Sequence, residues 1–214
     1  MEISASGFLF DMDGTLVDSH AVVEAVWSEF GRRHGLDPAV ILAYAHGRQA
    51  ADTVAHFLPD LPAEQRADLV AGLVAEELTR TDGIVEVPGA AALLAALAEA
   101  GVPVAIVTSA PRELAVVRLE AAGVPVPAVL VPAEDVSRGK PDPQGYLLAS
   151  ERLGVPIGRC VVFEDAEAGL VAAVASGGRV VVVGGHSSAT TDGLERLRDY
   201  TGDVPGVERV SLPS

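Results

Sequence analysis

Five short apolar runs constrain this chain more than any other feature. They are Phe8-Leu9-Phe10, Val102 to Val107, Ala128 to Val131, Cys160 to Phe163 and Arg179 to Val183. Each is short and bounded by polar or turn-forming residues, the pattern of a buried strand. The later runs alternate with helical patterns. One opens at Pro88-Gly89 and runs to Gly101; the others cover Pro111 to Ala122, Asp142 to Leu153 and Glu167 to Ser176. Strands that are apolar throughout and separated by helices require a parallel sheet covered on both faces. The expected fold class is therefore α/β.

The ends of these strands carry the chemistry. Phe10 runs into Asp11 and Asp13, followed by Gly14 and Thr15; Val107 runs into Thr108 and Ser109. The loop after Val131 carries Arg138-Gly139-Lys140-Pro141-Asp142-Pro143, and Phe163 runs into Glu164 and Asp165. Parallel strands present the same end along one edge, so these groups should meet in one crevice. Carboxylates beside a core are costly unless something compensates them, and a divalent cation does so for Asp11 and Asp13. Lys140 is the only lysine in the chain; the other 14 of its 15 Lys and Arg residues are arginine. That skew points to a position where a compact ammonium is needed and a planar guanidinium will not serve.

Between the first strand and the alternating region the pattern changes. Val17 to about Arg80 reads as helices and loops with no convincing strand. Val22, Val23, Val26, Trp27 and Phe30 recur at helical spacing, Asp18 or Ser19 stands where a cap would be, and Arg32-Arg33-His34-Gly35 ends the helix. Further helical patterns cover Pro38 to Ala45, His46 to Leu58 and Ala63 to Leu78. The chain thus divides into a core, residues 1–16 and 84–214, and an all-helical insertion, residues 17–83, whose helices join through short loops. The polar tail after Gly184 suggests a helix near Leu194 and an edge strand at Val207 to Leu212.

Asp11-Met12-Asp13-Gly14-Thr15-Leu16 resembles the first motif of the haloacid dehalogenase superfamily, Asp-x-Asp-Gly-Thr, most of whose members are phosphohydrolases. Val-Thr-Ser at 107–109, Gly-Lys-Pro-Asp-Pro at 139–143 and Glu-Asp-Ala at 164–166 are similar to its other motifs. The resemblance implies a Rossmann-like three-layer core with a small all-helical cap of the C1 type. It also implies roles. Asp11 is the nucleophile that forms an aspartyl-phosphate, and Asp13 is the general acid and then the base on water. Mg2+ is held by Asp11, Asp165 and the backbone carbonyl of Asp13, with Glu164 either a ligand through water or a supporting group. Thr108 and the backbone N–H groups around Ser109 hold phosphate oxygens, and Lys140 holds both the phosphate and Asp11. His46-Gly47-Arg48, in the helical segment, resembles the sugar-phosphatase branch that includes 2-deoxyglucose-6-phosphate and glycerol-phosphate phosphatases. It implies that His46 and Arg48 reach the substrate from the cap.

Departures narrow the branch further. Hydrolytic dehalogenases of this superfamily lack the second aspartate, and Asp13 is present. Phosphonate-cleaving relatives need a cap lysine, and residues 17–83 contain none. The interval from Ser109 to Lys140 has room for one helix and one strand, so no second cap fits there. The expected function is a Mg2+-dependent phosphatase for small phosphorylated sugars or polyols. The alternatives are a hexose-phosphate mutase resembling β-phosphoglucomutase, in which the substrate takes the phosphoryl group back, and a non-catalytic sugar-phosphate-binding protein.

Composition bounds the setting. A formal net charge of −15 argues against nucleic acid and anionic membrane surfaces as partners. No apolar run approaches membrane-spanning length, and the first one leads straight into the acidic motif, unlike a signal peptide. Cys160 is the only cysteine, so no intrachain disulfide can form, which suits a reducing cytosol. The expected partner is a small phosphorylated metabolite and the expected state a cytoplasmic monomer. His20, His34, His56 and His186 receive no catalytic role.

Overall fold

A computed structural model of the chain describes residues 2–3 and 5–208. In chain order its elements are β1 (Glu2–Ile3), β2 (Gly7–Phe10), β3 (Val17–Asp18), α1 (His20–His34), α2 (Pro38–Ala45), α3 (Ala50–Phe57), α4 (Ala63–Leu78) and β4 (Val85–Glu86). They continue with α5 (Ala90–Glu99), β5 (Val104–Val107), α6 (Arg112–Ala121), β6 (Val129–Val131), α7 (Gln144–Leu153) and β7 (Cys160–Glu164). The chain then forms α8 (Glu167–Ser176), β8 (Arg179–Val183), β9 (Glu195–Leu197) and β10 (Val207–Glu208).

The apolar runs form one six-stranded sheet, ordered β6-β5-β2-β7-β8-β9, with every pairing parallel. The chain leaves β2 toward β5 and β6 on one side and later fills the other side with β7, β8 and β9. The order therefore reverses at β2, and a crevice opens at its carboxyl end. Alternation along each strand serves both faces. Phe8, Phe10, Ile106, Val161, Phe163 and Val181 pack with Leu93, Leu94 and Leu97 of α5 and Leu114 and Leu119 of α6. Leu9, Ala105, Val107, Val162 and Val180 pack with Tyr146 and Ala149 of α7 and Leu170 and Ala173 of α8. The three-layer α/β core is as expected.

Helices α1 to α4 enclose a separate apolar cluster of Val26, Trp27, Phe30, Ile41, Ala45, Val54 and Leu73. Local signals fix their ends. Pro38 opens α2, where Asp37 Oδ1 accepts from the Ala39 amide at 2.9 Å. Gly35, at φ 68°, closes α1 in the left-handed conformation that glycine adopts without strain. The expected helix from His46 starts only at Ala50; His46 to Gln49 is a loop, with Gly47 at φ 75°.

Three findings concern short strands. Val17–Asp18 pairs antiparallel with Val85–Glu86, so the two connections between the helical unit and the core form a ribbon where no strand was expected near Val17. Glu195–Leu197 extends the main sheet beside β8 in place of a helix near Leu194. Gly193, at φ 77°, interrupts a helix there, and the edge of β8 offers backbone partners instead. Val207–Glu208 pairs with Glu2–Ile3 in a separate ribbon, and the rest of the strand expected up to Leu212 lies outside the described residues. Two-residue strands, and one of three residues that is mostly polar like Glu195–Leu197, carry too little alternation to be read from a pattern.

Candidate active site

Asp11 is the first residue past β2, and its amide still donates to Phe163 O at 2.9 Å, which anchors it to the sheet. The chain then curls: the amides of Thr15, Leu16 and Val17 all donate to Met12 O. Gly14 sits in that curl at φ 83°, and a Cβ there would collide with the Asp165 carboxylate. Thr15 Oγ1 donates to Asp165 Oδ1 at 2.9 Å. The first motif thus needs its glycine to admit Asp165 and uses its threonine to orient it.

Lys140 Nζ donates to Asp11 Oδ1 and, at 2.6 Å, to Glu164 Oε1. All three side chains are buried, Glu164 completely. Glu164 Oε1 also accepts from the Tyr146 hydroxyl at 3.1 Å, and Oε2 accepts from the Asp165 and Ala166 amides at 2.8 and 2.9 Å. Each Glu164 oxygen therefore holds two hydrogen bonds. Asp11, Glu164 and Asp165 bring carboxylate oxygens within 4.8 Å of one another. Three acids facing one ammonium leave excess negative charge. Burial pushes the Asp11 carboxyl well up, with Lys140 opposing and Glu164 and Asp165 adding to the rise. Burial and Glu164 push Asp165 up to about 8. Lys140 is held protonated by Asp11 and Glu164 against its own burial. An all-oxygen cluster short of positive charge fits a hard divalent cation.

The Asp13 side chain is held apart from that cluster: Oδ1 accepts from Ser19 Oγ at 2.6 Å and Oδ2 from Arg118 Nη1 at 2.8 Å. Any part Asp13 plays toward a metal would fall to its carbonyl. Ser19 occupies the cap position of α1, where its carbonyl accepts from the Val22 and Val23 amides but its side chain makes no cap bond, and Asp18 Oδ1 accepts from the His20 amide at 3.3 Å.

The expected residues converge. One cavity is lined by Asp11, Asp13, Thr108, Ser109 and Asp165 from the core and by His46 and Arg48 from the helical unit. Lys140 and Glu164 meet Asp11 from within the core. Thr108 Oγ1 accepts from the Ala110 amide at 3.1 Å, and Ser109 Oγ donates to Gly47 O at 2.9 Å, across to the helical unit. His46 Nε2 is buried without a partner; burial and nearby His20 lower its pKa. The Arg48 guanidinium lies 4.4 Å from the centre of the Tyr44 ring.

Six residues of this neighbourhood receive no part in the site from the sequence alone: Thr15, Ser19, Gln49, Glu77, Arg118 and Tyr146. Gln49 Nε2 donates to Ala133 O at 3.1 Å across the cleft. Arg118 pairs with Glu77 as well as Asp13, its Nη2 lying 3.3 Å from Glu77 Oε1. Burial pushes the Glu77 carboxyl up, with Arg118 opposing. A signal for these two was present. The buried stripe of α6 reads Leu114, Ala115, Arg118, Leu119, and that of α4 reads Leu73, Glu77. A charge on an apolar stripe is a request for a partner.

Residues 5–177 match the family model of the haloacid dehalogenase-like hydrolases. Hexitol phosphatase A of Escherichia coli K12 is 48% identical over 180 residues, spanning 83% of this chain and 82% of that protein. Glycerol-1-phosphate phosphohydrolase 1 of Saccharomyces cerevisiae is 32% identical over 213 residues, spanning 95% and 82%. A solved hydrolase from Pseudomonas syringae superposes with a TM-score of 0.81 at 26% identity, covering 91% of this chain and 94% of its own. With the motif residues gathered at the carboxyl edge of a parallel sheet, these similarities settle the family: the chain belongs to the haloacid dehalogenase-like hydrolases.

Proposed function

We propose that this protein is a Mg2+-dependent phosphatase that acts on small phosphorylated polyols or sugars through an aspartyl-phosphate on Asp11. One observation carries the reading: Asp11 stands on the cavity wall with Lys140 bound to it and Asp13, a second carboxylate, on the same wall. The names of the hexitol and glycerol-phosphate phosphatases among its relatives support the substrate class.

The residues divide the work. An Asp11 oxygen attacks phosphorus and the bond to the ester oxygen breaks, while Asp13 gives that oxygen a proton. Asp13 then takes a proton from water as the water attacks phosphorus, which frees Asp11 and inorganic phosphate. Thr108 and the amides around Ser109 hold phosphate oxygens, and Lys140 moderates the repulsion between the phosphate and Asp11. Asp11, Asp165 and the Asp13 carbonyl would hold the cation, whose charge offsets that of the phosphate and of Asp11. Glu164, with all four of its bonds made inside the protein, is assigned to holding Lys140 rather than to direct ligation. The helical unit, residues 17–83, acts as a lid that brings His46 and Arg48 to the substrate and keeps water out during transfer. The same reading makes the protein a cytosolic monomer; Cys160, buried and unpaired, suits a reducing compartment. No helix among the described residues is long and apolar enough to cross a membrane.

The test is phosphate release from hexitol phosphates, glycerol phosphates and β-glucose 1-phosphate, each with Mg2+, with chelator, and with the Asp11→Asn variant. Release that needs Mg2+ and Asp11 is expected. Isomerisation of β-glucose 1-phosphate without release would mean a mutase, and binding without turnover a binding protein.

A further inference from the structure

Among the described residues Arg118 is the only buried arginine, 4% exposed. Its guanidinium reaches from Asp13 of the core to Glu77 of the helical unit, and it faces the cavity. Its Nε and Nη2 are shut off from water, yet neither makes a hydrogen bond; the Nη2 approach to Glu77 is an ion pair without hydrogen-bond alignment. The cavity wall beside the pair is apolar, formed by Val23, Trp27, Val74 and Leu114. A buried charged donor without an acceptor is costly, and a ligand that supplies the acceptor removes the cost.

We propose that Arg118 and Glu77 together read a hydroxyl group on the alcohol portion of the substrate. Arg118 donates to the hydroxyl oxygen, and Glu77 accepts the hydroxyl proton in a hydrogen bond. A hydroxyl gives and takes at once, so it matches an N–H beside a carboxylate. A methylene in the same place matches neither and leaves Arg118 Nε and Nη2 without a hydrogen bond, which is how a polar site rejects an analogue that lacks the hydroxyl. Because Arg118 Nη1 also holds Asp13, the hydroxyl is registered against the carboxylate that protonates the ester oxygen. This deepens the phosphatase reading and rests on it for the chemistry, though recognition itself does not require turnover.

Glycerol 1-phosphate and n-propyl phosphate form the deciding pair, since they share a three-carbon ester and differ only in hydroxyls. The wild-type protein should favour glycerol 1-phosphate in kcat/KM by roughly tenfold or more, the worth of hydrogen bonds to charged groups. Glu77→Met, which keeps length and removes the acceptor, should erase most of that ratio. Arg118→Met should erase it and also lower kcat on both substrates, because Asp13 loses its tether. Where Glu77→Met fails to fold, Glu77→Gln replaces it and should still reduce the ratio. Equal losses on both substrates, or no preference in the wild type, would overturn the proposal and leave the pair a structural bridge. The same discrimination is read without turnover by calorimetric affinities for the two esters in Asp11→Asn protein, with and without Glu77→Met. Discrimination in Asp11→Asn protein, together with no phosphate release by the wild type, would uphold the pair and refute the phosphatase. Equal affinities would overturn the pair whatever the chemistry.

Discussion

At Gly169 a single methyl group tests how the site is held. A Cβ there would collide with the Glu164 carboxylate, which orients Lys140 against Asp11. Gly169→Ala should destabilise the protein by about 1–3 kcal/mol, the usual cost of overpacking, and lower phosphate release by at least roughly tenfold through the displaced Lys140. Gly72, exposed on α4 with nothing within 4 Å of where a methyl would stand, is the control. Gly72→Ala should stabilise by about 0.5–1 kcal/mol, and thermal unfolding with steady-state kinetics separates the two cases. Residues at strand ends were legible in the sequence because an apolar run stopping at a carboxylate has few explanations. Arg118 and Glu77 were easily passed over despite standing on apolar stripes, because a helical pattern absorbs one charged position without losing its period. Glu164 was legible as an acid and illegible as to role, since its four partners come from Lys140, Tyr146 and two backbone amides.

Among elements, the edge strand β9 is the least expected. Arg179, at the start of β8, makes a two-pronged pair with Glu195 of β9, at 2.6 Å in both contacts. Hydrogen bonds from Arg179 hold the Glu195 carboxyl below its ordinary value of 4.5. A carboxyl depressed in the folded state contributes stability above its unfolded pKa and loses it as pH falls below. The pair is nearly half exposed, so the contribution is small, about 0.2–1 kcal/mol. Amide exchange of β9 should therefore quicken as pH drops below about 4.5, after correction for the intrinsic rate, and Glu195→Gln should flatten that change. An unaltered profile in the variant would mean that the pair does not hold β9. Longer elements announced themselves through period and caps, as Pro38 and Gly35 did. β1, β3, β4, β9 and β10 are defined by their partners, which no local pattern contains.

Across the whole molecule, two bodies meet over the cavity and connect through the β3–β4 ribbon. Ser109 to Gly47, Gln49 to Ala133 and Arg118 to Glu77 all cross the gap. If the helical unit works as a lid, these contacts hold it shut. Inorganic phosphate with Mg2+ should then slow amide exchange in residues 46–49 and in the ribbon together. Gln49→Ala should speed exchange in both without ligand, and exchange that stays unchanged in the ribbon would mean the unit does not move there. The run of four helices between β3 and β4 was legible because the period changes from strand-and-helix to helix alone. How the two halves touch was not, because each crossing contact joins residues far apart in the chain.

The central claim is that Asp11 takes the phosphoryl group. Its most direct test is to mix the protein with Mg2+ and a hexitol or glycerol phosphate, quench in acid within one turnover, and locate the adduct by peptide mass spectrometry. The predicted result is one phosphoryl group on the peptide that carries Asp11, absent in Asp11→Asn and lost on treatment with hydroxylamine. Phosphate release at full rate with no adduct on that peptide, or an adduct that survives in Asp11→Asn, would contradict it.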